Sequence, residues 1–536
     1  MMQAIQAAAQ PWTQAWREQV IPTLAGQEWD LIVVGGGIIG AGILREAARL
    51  GWRCLLLEQR DFAWGSSSRT SKMVHGGLRY IAQGQFALTR DSVRERQRLL
   101  QEETGLVELM PFLYPHYRGE FPGRLLLGGA LWLYDRFAAS KTYHYYPVRK
   151  IPQKINPEQL IGASEYQDAL TDDAGLVMKV LSEARAMGAY IVSYVRALQP
   201  IYSDVVQGAQ RRVIGLQVED QLSATQWQLS CRVVAQAKGV WTDVAQLSGG
   251  QQYMRPLRGS HILVPYARLP IKQALSIQHP QDQRLLFILP WQGATIIGTT
   301  DLDHHGDLNQ EPAIDQAELD YLLAACAKVF PEAQITQRDV VSTWSGVRPI
   351  VAHTQADSGA PSAQSREHTL WVEPGRVSIA GGKLTTFRLL ALEVIEACAD
   401  LNGCPMQVVT ELKKDIEQHS ENPCIAALPY AAQQRLRGRY GGNWVAFTEV
   451  FQQVGAEQVA HTAIYWAELI FACQYELVIH LDDLLLRRTR LGLLGVVDLV
   501  EQVRARCQPY LTWDQQRWEE EIQTYLGICQ QFYSLP

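Results

Sequence analysis

The sequence predicts an α/β fold followed by a helical C-terminal domain. Three observations carry this. A strand–glycine turn–helix–strand unit occupies Asp30–Glu58, apolar runs of strand length mix with helical stretches up to about residue 400, and helical periodicity takes over after Asn402–Pro405. The 536 residues suffice for two to four domains at about 100–200 residues each. Hydrophobic residues at 47% and charged residues at 19% place the chain among globular proteins. A net charge of −6 argues against a protein that coats nucleic acid, which needs a basic field. The nine cysteines form no CxxC pair and follow no regular spacing, so neither a metal site nor a disulfide framework is expected, and a reducing compartment is the better reading.

Residues 1–28 carry Ile5, Trp12, Trp16 and Val20 near helical spacing. They read as an arm docked on the globule rather than a surface-seeking amphipathic segment, since almost no Lys or Arg is present. No basic region precedes Ala4–Ala9, so no signal peptide is expected. Asp30–Val34 suits a buried parallel strand, Gly51 stops the helix that follows, and Arg53–Glu58 reads as the second strand. A helix is expected over Val177–Met187 and a buried strand over Val233–Lys238. A last strand pair is expected over Thr369–Val372 and Val377–Ala380, after a loop at Gln355–Ser365. Helical stretches follow at Asn443–Val454, Val459–Cys473, Leu494–Arg506 and Asp514–Tyr533. The expected division is a nucleotide domain from 29–100, 176–260 and 340–405, a substrate lobe from 101–175 and 261–339, and a separate helical domain from 406–536. Leu125–Tyr134, the longest apolar stretch, is too short to span a bilayer and is flanked by Arg124 and Asp135, so at most a surface contact is expected.

Gly35, Gly37 and Gly40 form GxGxxG between a strand and a helix. The first permits a tight turn, the second lets the backbone approach a pyrophosphate, and the third lets helix and strand pack closely, with the positive helix end facing phosphate. Glu58 closes the second strand about 20 residues on, where a carboxylate accepts ribose hydroxyls and repels a 2′-phosphate, favouring FAD or NAD over NADP. Ser66, Ser67, Ser68, Ser71 and Lys72 form a hydroxyl run ending in a cation, suited to gripping more of an extended cofactor. Far along the chain, Val377–Ala380 runs into Gly381, Gly382, Lys383, Leu384, Thr385 and Thr386, a second turn before a helix. Lys383 there could hold charge on a reduced isoalloxazine. Two such turns suit a long cofactor lying across a whole domain.

GGGIIGAG (35–42), SSSRTSKMVHGGLRY (66–80), RGSHILVP (258–265), FILPW (287–291), GTTD (298–301), SGVRP (345–349), SREH (365–368) and GGKLTT (381–386) occur in that order. In this the chain resembles the FAD-dependent glycerol-3-phosphate dehydrogenases over about residues 29–400. LLLRRTRLG (484–492) resembles that family's C-terminal domain. The resemblance implies a Rossmann-like FAD-binding domain of the glutathione-reductase/D-amino-acid-oxidase type with an interleaved substrate lobe. It implies oxidation of the C2 hydroxyl of glycerol 3-phosphate to dihydroxyacetone phosphate, hydride transfer to flavin N5 and electron delivery to a quinone. It also implies a peripheral place on the cytoplasmic face of the membrane, with Gly123–Arg136 either a shallow insertion or a buried lobe helix. The oligomeric state stays open, a homodimer included.

A doubly charged phosphate ester needs cations around it, and Arg79, Arg348, Arg366 and Lys383 sit in the matching motifs. His261 is the first choice for the base that removes the hydroxyl proton, with His75 and Lys383 as rivals. His75 otherwise packs against the flavin, and Tyr80 and Thr385 are candidates for hydrogen bonds to substrate or flavin. Where many such flavoproteins carry Asn-Ala-Thr-Gly-Pro-Trp beside the adenosine, this chain has Gln236-Ala237-Lys238-Gly239-Val240-Trp241. Gly239 keeps the cofactor role while Lys238 changes size and charge. Three other readings remain: an oxidase that uses dioxygen, an amine- or amino-acid-oxidising flavoenzyme, and a flavin-binding module without turnover.

Overall fold

The computed structural model describes residues 10–78, 81, 84–138, 141–207, 210–352, 367–404, 406–407, 422–496 and 498–536. Two sheets organise them. In the first, Glu28–Val34 pairs in parallel with Cys54–Leu57 on one side and Gln226–Gln236 on the other, and Gln226–Gln236 pairs in parallel with Arg376–Ala380. Leu31, Ile32 and Val33 are all fully buried, the mark of a parallel strand covered on both faces. Helix Ile38–Arg49 covers one face beside Asp173–Ala186 and Phe387–Asn402. The register matters most. Val34 lies opposite Leu57 and Gln236, and Gln236 opposite Ser378, so the carboxyl ends of four strands align. The turns after Val34 and Ala380 therefore open at one edge of the sheet.

The second sheet has ten strands among the described residues. Tyr253–Pro265 is its pivot, pairing antiparallel with Ser342–Ala352 along its length and with Ala294–Gly298 on the other side. That register sets His261 opposite both Trp344 and Gly298, and Leu257 opposite Arg348. The chain crosses between the sheets at 65–74, since Met73–Val74 already pairs with the Leu160–Thr171 strand of the second sheet.

These pairings correct the expected division. Met73–Val74, Tyr253–Pro265 and Ser342–Ala352 belong to the second sheet, although 29–100, 176–260 and 340–405 were read as nucleotide domain. Strands buried on both sides occur in both sheets, as at Leu31–Val34 in the first and Ala294–Gly298 in the second, so their apolar runs look alike in sequence. The C-terminal helices Trp444–Val454, Trp466–Tyr475, Val500–Cys507 and Gln515–Ile528 are present. They are not a separate body, however. Leu436, Phe447 and Phe471 build a core of their own, but Trp466, Leu484 and Trp518 share one with Tyr166, Trp291 and Trp344 of the second sheet.

Arg487, Arg488 and Arg490, on and just after the wide helical turn Asp483–Arg488, strengthen that docking. Arg488 grips Asp61 with both guanidinium nitrogens at 2.7 Å, and Arg487 bonds the same carboxylate. All three partners are buried. Residues 10–28 dock as an arm: Trp12 and Trp16 are buried, and Arg17 reaches Asp220 at 2.7 Å. Among the described residues no helix is long and apolar enough to cross a membrane. Asp61→Ala strips two buried guanidinium groups of their shared carboxylate and is expected to cost about 3–5 kcal/mol. The check is the urea midpoint, and an unchanged value would show that Asp482 and Asp483 satisfy the arginines by themselves.

Candidate functional site

A cavity of about 490 Å³ opens along the aligned carboxyl edge of the first sheet. Its walls include Gly35, Gly37 and Glu58 together with Gly382, Lys383 and Leu384. Gly35 adopts φ +113°, and a Cβ there would lie 2.5 Å from the Ala237 carbonyl oxygen. At Gly40 a Cβ would fall 1.9 Å from the Gly35 carbonyl oxygen, so strand and helix meet only because both positions are glycine. The Glu58 carboxylate accepts the Gly36 N–H at 2.6 Å and the Arg60 N–H at 2.9 Å. Burial pushes its pKa up, and these two backbone donors oppose the rise.

The hydroxyl run divides. Ser66 and Ser67 line the cavity, and Ser67 Oγ accepts the Ile38 N–H at 3.0 Å at the helix N-terminus. Ser66 Oγ donates to the Val347 carbonyl, tying this turn to the second sheet. Ser68, Ser71 and Lys72 do not line the cavity, which corrects their expected place among the cofactor contacts. Lys72 is fully buried and takes φ +58°. Its ammonium donates to Asp173 at 2.9 and 3.0 Å and to the Ser68 carbonyl at 2.7 Å. Burial pushes its pKa down to about 8 against the pull of Asp173. The lysine thus meets a carboxylate from another element, and sequence order gives no sign of it.

Lys238, Gly239 (φ +57°) and Trp241, from segment 236–241, also line the cavity. Lys238 borders the cavity rather than pointing freely to solvent, and burial lowers its pKa. The Thr385 hydroxyl bridges the backbone N–H of His75 at 3.2 Å and the His75 carbonyl at 3.3 Å, joining the motif at 66–80 to the turn at 381–386.

Thr70 and Pro349 line the cavity, and the residues beside them, Ser71 and Arg348, lead to a second cluster. His261 is buried, stacked on Trp344 with ring centroids 4.9 Å apart, and its Nε2 lies 2.8 Å from Ser71 Oγ. Burial first, then the Arg348 and Lys72 cations, hold its pKa well below the usual value. The imidazole is therefore neutral at pH 7 and able to accept a proton. The Arg348 fork is set by Asp301 at 3.1 Å and Thr299 Oγ1 at 3.0 Å, over Gly259, where a Cβ would meet the guanidinium at 2.3 Å. Arg79, Tyr80 and Arg366 lie outside the described residues. Sequence reasoning gave no role to Thr299 and Asp301, although both stand in the GTTD motif, nor to Trp344, which only the strand register places under His261.

Residues 30–386 match the family model described as FAD dependent oxidoreductase, and 390–518 match the C-terminal domain of alpha-glycerophosphate oxidase. The chain is 29% identical over 502 residues to an aerobic glycerol-3-phosphate dehydrogenase of Staphylococcus haemolyticus (strain JCSC1435), covering 88% of each. It is 28% identical over 549 residues to that of Staphylococcus saprophyticus, covering 96% of this chain and 97% of the relative. Among solved structures, the glycerol-3-phosphate dehydrogenase from Bacillus halodurans complexed with FAD aligns over 96% of both chains with a TM-score of 0.72 and 25% identity. The L-alpha-glycerophosphate oxidase from Mycoplasma pneumoniae, at 16% identity and a TM-score of 0.52 over 71% of this chain and 98% of its own, shares the fold. Glycine turns brought to one sheet edge and a family match that spans both of them lead to the same conclusion: this chain belongs to the FAD-dependent oxidoreductases.

Proposed function

We propose that the chain oxidises the C2 hydroxyl of sn-glycerol 3-phosphate to dihydroxyacetone phosphate and passes the electrons to a quinone. The observation that carries this reading is the pairing of a buried imidazole held neutral, His261, with a preset guanidinium fork, Arg348, next to the cavity residues Thr70 and Pro349. The cavity suits FAD: its glycine turns leave no room for a Cβ, a helix N-terminus opens into it, and Glu58 lies where ribose hydroxyls would bind. When bound, FAD supplies the two-electron acceptor for the hydride leaving C2.

The protein's own residues do the rest. Arg348 and Lys383, with Arg79 and Arg366, are assigned to the phosphate and the developing oxyanion, since a fork and an ammonium match a dianion. His261 is assigned the hydroxyl proton as general base, with Ser71 Oγ standing 2.8 Å from its Nε2. Gly35, Gly37, Glu58, Ser66, Ser67, Gly239, Gly382 and Leu384, which line the cavity, are assigned to the cofactor, with Gly40 packing the first turn and Thr385 binding the His75 backbone behind them.

A lipid-soluble acceptor calls for a membrane surface. The helix Arg124–Phe137 supports one: Leu125 is 89%, Leu126 56% and Trp132 62% exposed, while Leu127, Leu131 and Tyr134 on its other side are buried. Phe121 adds to the exposed patch, and Arg124 and Arg136 stand at the helix ends, placed to meet anionic headgroups on the cytoplasmic face.

Under argon, glycerol 3-phosphate is expected to bleach the flavin absorbance of the purified holoprotein, and glycerol barely to do so. Bleaching should fail at the same substrate concentration in Arg348→Ala. Equal bleaching by glycerol would remove the phosphate site, and peroxide formation in air at the quinone-linked rate would make the chain an oxidase. A base must be unprotonated to work, so kcat/KM should fall on the acid side, through the lowered pKa of His261. His261→Gln should abolish that limb and slow the reaction about 10²–10⁴-fold. An unaltered acid limb in this variant excludes His261. Leu125→Glu with Trp132→Glu should release the protein from anionic vesicles in a sedimentation assay while soluble-acceptor turnover persists; unchanged sedimentation would place any membrane contact elsewhere.

A further inference from the structure

Arg490, the last arginine of the segment 484–492, is fully buried and reaches across the domain contact. Its Nε donates to Asp172 at 2.8 Å, its Nη1 to the Leu486 carbonyl at 2.9 Å, and its Nη2 to Asp173. The Asp173 carboxylate is itself fully buried at the start of helix Asp173–Ala186, and it is shared. It accepts the Thr70 N–H at 3.0 Å, the Thr70 hydroxyl at 2.7 Å, and the Lys72 ammonium at 2.9 and 3.0 Å. Thr70 Oγ1 also accepts the Lys72 N–H at 2.9 Å. Both neighbours of Ser71 are thus fastened to one carboxylate, which sets Ser71 Oγ 2.8 Å from His261 Nε2. Trp344 closes the circuit: its indole N–H donates to the Thr70 carbonyl at 3.2 Å while its ring stacks on His261.

The geometry points to Arg490 as a positioning residue for the reaction: from the C-terminal domain it fixes the Asp173 carboxylate, and through Thr70 and Lys72 it holds Ser71 against the His261 base. This rests on the reading of His261 as the base. An arginine suits the task because its fork spans two carboxylates, Asp172 and Asp173, at once. Lys72 alone would be a weaker clamp, since burial brings its titration down to about 8. The groups facing His261 are Ser71, Trp344, Arg348 and Lys72, so a displaced Ser71 alters both the orientation of the imidazole and its acid limb.

The test uses the full-length holoprotein, with every rate expressed per bound flavin. Arg490→Gln should lower kcat about tenfold or more, leave the KM for glycerol 3-phosphate within about threefold, and displace the acid limb of the pH profile. Arg490→Lys, which keeps the charge and gives up the fork, should recover part of the rate. Ser71→Ala should act in the same direction, and the double variant Ser71→Ala/Arg490→Gln should be no slower than the slower single, as expected of groups in one chain. The inference is overturned if Arg490→Gln and Arg490→Lys lower the unfolding midpoint but keep the wild-type kcat and acid limb while Ser71→Ala changes both. It falls together with the reading of His261 if Ser71→Ala and His261→Gln both leave the acid limb in place. Should Arg490→Gln give no folded protein, the kcat and acid limb of Arg490→Lys alone decide in the same way.

Discussion

A buried carboxylate, Asp173, holds the two halves of this protein in register. The chain between 65 and 75 leaves the first sheet as the turn beside the cavity and enters the second as Met73–Val74. It makes that passage with a lysine ammonium inside the protein. A lone buried cation costs several kcal/mol of lost hydration, and the segment can follow this path only because a carboxylate meets it there. Asp173 is kept ionised, its pKa lowered by Lys72 and then Arg490 against the opposing effect of burial. From that point Thr70, Ser71 and Trp344 take their places, and His261 takes its place on them.

The same logic explains how one site can carry several cations and still offer a neutral base. Arg348 is half-neutralised by Asp301, which also pairs with Arg284 at 3.3 Å, so the fork is oriented before any anion arrives. His261 sits without a carboxylate of its own, and each positive neighbour makes its protonation harder. Charge that attracts a phosphate and charge that keeps an imidazole free for a proton are therefore the same charge.

Much of this was legible in the sequence wherever local chemistry decides. The run Asp30–Glu58 contains its own strand, turn, helix and ribose-side carboxylate, and the second turn at 381–386 has the same self-contained character. Partners distant in sequence were not legible. Lys72 reads as part of the grip on an extended cofactor until Asp173 appears beside it, and nothing near Arg487 and Arg488 in the sequence points to Asp61, more than four hundred residues earlier. Likewise the strands Tyr253–Pro265 and Ser342–Ala352 carry no polar alternation to say which sheet they join, because both of their faces are covered. The site is assembled at that ambiguous place, where the register of two buried strands sets Trp344 under His261.

One helix joins the proposed lipid contact to the cofactor turn. Arg124–Phe137 shows Leu125 and Trp132 to the outside, while from its inner side the Tyr134 hydroxyl accepts the Gly76 N–H at 2.8 Å and donates to Asp168 at 2.5 Å. Asp168 also takes the Gly76 N–H at 3.1 Å and pairs with Arg96, so this inner contact is fixed by a buried ion pair. A Cβ at Gly76 would fall 2.3 Å from the Tyr134 hydroxyl, so the approach depends on that glycine. Gly76 follows His75, whose backbone Thr385 binds to the turn at 381–386. On the proposed reading, a membrane that seats the outer face bears on a helix whose inner side holds Gly76, next to the residue that Thr385 ties to the turn at 381–386.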